Sequence, residues 1–101
     1  MGAQSSAMKH DGAPPSVAEI EQRLSEMLHG SVSVVMVGTA TAIAVRSGMH
    51  HLEGEPGLLA VAEQHGEFFV HQPGGPPVPH RRRHIVVDAF TCRVVAVRYV
   101  P

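Results

Sequence analysis

Arg83-His84-Ile85-Val86-Val87-Asp88-Ala89-Phe90-Thr91-Cys92-Arg93-Val94-Val95-Ala96-Val97-Arg98-Tyr99-Val100 is the stretch whose reading decides the fold. Ile85 to Val87 and Val94 to Val100 are dominated by β-branched and aromatic side chains. Such side chains are stiff at χ1 and suit a pleated surface, so both runs predict strand. Asp88 and Thr91 lie between them, and their side chains can bond nearby backbone and form turns. The pattern predicts two strands folded back on one another, with Cys92 where a turn of this kind often carries glycine. Alternation sets Val95, Val97 and Tyr99 on one face and Val94, Ala96, Arg98 and Val100 on the other, with Arg98 marking the wetter face.

Val87-Asp88-Ala89-Phe90-Thr91, followed by Cys92, resembles the closing hairpin of PepSY-type domains, where a Val-Asp-Ala-x-Thr-Gly turn joins two strands. The resemblance implies paired strands at this place and brings no function with it.

Working back from the hairpin, His80 to His84 feeds the first strand, and Pro73 to Pro79 is a proline-glycine loop. Phe68, Phe69 and Val70 mark a strand region over Glu67 to Gln72. Leu58 to His65 reads as a short helix stopped by Gly66. Ser47 to Gly57 is a polar connection. Ser31 to Val37 reads as a strand, Gly38-Thr39 as a hairpin turn with glycine first, and Ala40 to Arg46 as the returning strand. Alanine content offers a rival helix over Thr39 to Arg46; the strand is preferred. Ser16-Val17-Ala18-Glu19 is a capping box, and Val17, Ile20, Leu24, Met27 and Leu28 form one apolar stripe at helical spacing. His29 and Gly30 suit the helix end.

These elements predict an α+β fold of two layers: a mainly antiparallel sheet of four to five strands with two helices on one face. Residues 1–15 read as a flexible N-terminal tail, and 16–101 as a single α+β domain. A Val-rich open edge would be an aggregation hazard, which makes dimerisation across the sheet an expectation.

Composition narrows the function classes. Apolar residues are 44% of the 101, a globular proportion, while aromatics are 4%, so the core rests on Val, Ala, Leu and Met. A formal net charge of −1 argues against a surface built wholly to trap nucleic acid or anionic lipid. The single cysteine excludes an internal disulfide. No basic-then-apolar leader and no apolar run long enough to span a bilayer is present, so a cytoplasmic, soluble chain is expected.

Several residues are candidates for chemistry. His50, His51, His71, His80 and His84, with His65, are an ample supply of imidazole for a metal. On an extended strand His80 and His84 stand roughly 13 Å apart, too far to share an ion, so a metal site would have to join separate loops. Arg81, Arg82 and Arg83 form a short basic run that can grip phosphate without reading bases. Met1-Gly2-Ala3-Gln4-Ser5-Ser6 fits the myristoylation rule at Gly2, and a membrane partner is expected only if that glycine is acylated. Cys92 would need a base or a helix N-terminus to become a nucleophile. No phosphate cradle, serine elbow or paired cysteine motif appears, and no cofactor is expected. The reading that follows is a small non-enzymatic binding or regulatory module that works with a protein or small ligand, as a homodimer. Its alternatives are an acid-base enzyme using histidine and a carboxylate in a cleft, and a histidine-dependent metal or pH sensor.

Overall fold

A computed structural model describes residues 13–101. The order is helix α1 (Val17–Leu28), strand β1 (Ser33–Thr39), helix α2 (Ala40–Ser47), a short 3-10 turn (His50–Leu52), then strands β2 (Leu58–Val70), β3 (Val78–Asp88) and β4 (Val94–Val100). The strands form one sheet of four in the order β1-β2-β3-β4. Every neighbouring pair is antiparallel. The α+β arrangement with an antiparallel sheet is the expected one. The candidate acylation residue Gly2 and most of the expected tail lie outside the described residues.

The β3–β4 hairpin forms where the sequence placed it. Asp88 Oδ1 accepts the N–H groups of Phe90 at 2.8 Å and Thr91 at 3.0 Å, which closes the reversal. Cys92 takes the left-handed conformation, with φ of 62°, that glycine usually supplies. From α1, Arg23 donates to the carbonyls of Phe90 at 3.2 Å and Thr91 at 3.5 Å, so the turn is held from outside as well.

The α1 capping box is complete: the Ser16 hydroxyl accepts the Glu19 N–H, and the Glu19 carboxylate accepts the Ser16 N–H. The helix buries Ile20 and Leu24 against Ala60, Ala62, Ile85 and Val87 on one face of the sheet. Cutting a side chain such as Leu24 back to alanine would cost about 2–5 kcal/mol, since transfer and cavity terms add.

Two segments depart from the sequence reading. Ala40–Ser47 is a helix, not a returning strand. Thr39 caps it, accepting the Ala42 N–H at 3.3 Å, and Gly48 ends it with φ of 77°. Leu58 to His65 is not a helix but the first part of the 13-residue strand β2. This segment lies between β1 and β3 and is covered on both sides, so its apolar residues run on without alternating.

The second difference is in the layering. Alternation along β2 sends Ala60 and Ala62 toward α1, and Leu59 and Val61 the opposite way. There Leu59, Val61 and Val86 pack on Ala40 and Ile43 of α2 and on Met49 and Leu52. The two helices therefore cover opposite faces of the sheet rather than one. The buried Met49 and Leu52 give the polar connection its anchor.

Candidate functional site

β1 pairs with β2 only as far as Glu63, and β4 pairs with β3 only from Arg82 onward. Past these points β2 and β3 continue as a two-stranded ribbon, pairing Phe68 with His80, Phe69 with Pro79 and Val70 with Val78. Pro79 is tolerated because no strand lies on the other side of β3 there. Between Gln64 and Arg83, three arginines stand against the one carboxylate of Glu67, while the whole chain carries −1.

A bulge marks the base of the ribbon. His65 pairs with Arg82 and Phe68 with His80, so Gly66 and Glu67 stand opposite Arg81 alone. Such an insertion bends a strand and re-aims its neighbours. A Cβ on Gly66 would come within 3.1 Å of the Phe68 ring, so a side chain there would need the ring to give by a few tenths of an ångström.

Because His80 to His84 lies within a strand, its basic run is divided between faces. Arg83 donates from Nε to Oε1 of the buried Gln64 at 2.9 Å and lies over the Phe68 ring, 4.3 Å from its centroid. Arg82 pairs instead with Glu63 at 3.3 Å, and the same carboxylate meets His65 at 3.4 Å. His84 lies close to Arg98, with its Nδ1 3.4 Å from the guanidinium. Burial pushes the His84 pKa down, and the Arg98 and Arg82 charges add to this against the opposing pull of Glu63. Arg81 is exposed.

At the junction of ribbon and body an open depression of about 400 Å³ is lined by His65, His80, Arg81 and Arg82, with Pro79, Val100 and Pro101 completing the wall. His80 Nδ1 lies 3.2 Å from the Val100 carbonyl. A carbonyl only accepts, so this contact assigns the proton to Nδ1 and leaves Nε2 of the neutral ring as a lone pair.

The metal candidates are spread out. His50 lies in the 3-10 turn beside Glu53 at 3.5 Å, and His51 follows it. His71 lies in the loop after β2, and His80 and His84 are on β3. Among the described residues, no three of His, Cys, Asp and Glu stand together as a metal site. Cys92 is buried in the core of the α1 face. Burial raises its thiol pKa and Asp88 adds to that, while Arg23 opposes both. His65 joins the arginines only through the long β2 strand, which the helical reading of Leu58 to His65 concealed; the Gly66 break beside it was the available signal.

The sheet also ends in two edges of different character. On β1 the Val34 N–H is taken by the Glu21 carboxylate at 2.8 Å. On β4, Val94 and Val97 are exposed, and the one charged side chain, Arg98, is folded away, donating to the Ser47 carbonyl at 2.9 Å. Among the described residues no helix is long and apolar enough to cross a membrane. No family model, characterised protein or solved structure matches this chain.

Proposed function

We propose that the chain is a small non-enzymatic binding module that works as a homodimer joined along β4. The observation that carries this reading is the outer edge of β4. It is the last strand of the sheet, and it presents valine without a lysine, a carboxylate or an internal proline to keep another strand away. Two-fold antiparallel pairing about Val97 sets that residue beside its own copy and Arg98 across from Ala96 of the partner subunit. No like charges then face each other. The surface position of the His65 and Glu63 pair also favours binding over turnover: the His65 side chain is 75% exposed, where a proton-transfer site needs a cleft that excludes water.

Sedimentation of the full chain across micromolar concentrations tests this. The native chain is expected to run as a dimer, and Val97→Lys, which places a charge at the centre of the pairing, as a folded monomer. A native chain that is monomeric throughout would overturn the reading.

A further inference from the structure

We propose that the depression at the base of the ribbon is a binding site for a single phosphate-type oxyanion, free or esterified. Four nitrogen-bearing residues, His65, His80, Arg81 and Arg82, line one open cavity of about 400 Å³. That volume admits one tetrahedral anion with its substituent. The site lies beside the bulge. The extra residue on β2 bends the ribbon between His65 and Phe68, at the level where Arg81 faces two residues instead of one.

Each side chain has a distinct part. Arg81 is exposed and makes no hydrogen bond or ion pair among the described residues, so its fork is available for two parallel bonds to an oxyanion. Arg82 is held in place by Glu63, and that carboxylate also holds His65, so two of the groups are positioned before any ligand arrives. Pro79 and Val100 wall the site on the apolar side, and less water there strengthens charge-assisted bonds. His80 is fixed at the wall of the site by the contact of its Nδ1 with the Val100 carbonyl.

The facing acids are Glu63, already shared by Arg82 and His65, and Glu67, which lines the adjoining shallow hollow with His65, Gly66 and Arg81. The Tyr99 ring lies tilted beside His80, with ring centroids 5.8 Å apart.

The test is an amide NMR titration of the full chain with sodium phosphate, run against sodium chloride at matched ionic strength. Glycerol phosphate in a parallel series separates the esterified ligand from the free anion by which one binds tighter. Saturating shifts at His65, His80, Arg81 and Arg82 are expected with phosphate and not with chloride. Arg81→Ala should weaken binding about tenfold or more, as loss of bonds to a charged group does. Arg46→Ala, an exposed cation on α2, should leave binding unchanged. Shifts that do not saturate, that chloride reproduces, or that Arg46→Ala weakens as much as Arg81→Ala would overturn the site. So would tight binding of a random oligonucleotide with no saturable phosphate response, since that describes a diffuse charge footprint and not a built pocket.

Discussion

Glu21 of α1 accepts the backbone N–H of Val34 on β1 at 2.8 Å, and this carboxylate occupies a donor that an edge strand otherwise leaves open. The two ends of the sheet are thus treated differently: a helix side chain guards β1, while β4 is left to pair. Glu21→Ala should cost about 1.5–3 kcal/mol, the worth of a hydrogen bond to a charged group. It should also expose the β1 edge. In a Val97→Lys background, where the β4 edge is blocked, light scattering should then show concentration-dependent species that Val97→Lys alone does not form. Unchanged denaturant stability and unchanged scattering would sink the guarding role.

Arg98 ties β4 to the end of α2 through the Ser47 carbonyl, one of the acceptors a helix C-terminus leaves over. The same guanidinium holds a proton off His84, whose pKa is lowered from 6.5 by burial first and by Arg98 second. The native state therefore binds fewer protons here than the unfolded chain does. The stabilising difference is complete above pH 6.5 and is lost as pH falls from there through the lowered native value. His84→Gln should flatten the fall in stability between pH 7.5 and pH 5. Arg98→Ala should cost about 1.5–3 kcal/mol and bring the His84 titration back toward its ordinary range, read by imidazole NMR. A His84 titration that does not move in Arg98→Ala would separate the two residues.

Cys92 is 1% exposed and left-handed at φ 62°, two conditions that pull in different directions. The backbone wants glycine and the core wants a side chain. Cys92→Gly should stay within about 1 kcal/mol of the native chain, since the relief of strain offsets the lost burial. Cys92→Val should cost about 2 kcal/mol or more, because a β-branched residue is a poor occupant of positive φ. With its thiol buried and its pKa raised, Cys92 should react with thiol reagents at neutral pH only as fast as the turn opens. Rapid labelling of the folded chain would contradict the geometry.

The legible parts of this chain were those in which local chemistry and the final surroundings agree. Ser16 and Glu19 cap α1 in any context. Asp88 and Thr91 reverse the chain with their own side chains, and the valines beside them suit a sheet wherever it is built. Even the odd residue of the turn, Cys92, could be placed from its position alone. The site was half legible. The arginine run was visible, but its division between faces, and the arrival of His65 beside it, needed the length of β2. Thr39 and Gly48 did carry cap signals for α2. The reading of Gly38-Thr39 as a hairpin turn obscured them.

The amino-acid order alone determined an α+β chain with an amphipathic first helix and a closing hairpin, because capping, turn chemistry and β-branching act within a few residues of themselves. Tertiary structure decided the rest. Leu58 to His65 has no local reason to be a strand; it becomes one because β1 and β3 supply hydrogen bonds on both sides and a helix covers each face. The same pairing stops short at Glu63 and Arg82, and it is where the flanking strands end that the cations meet around an open space.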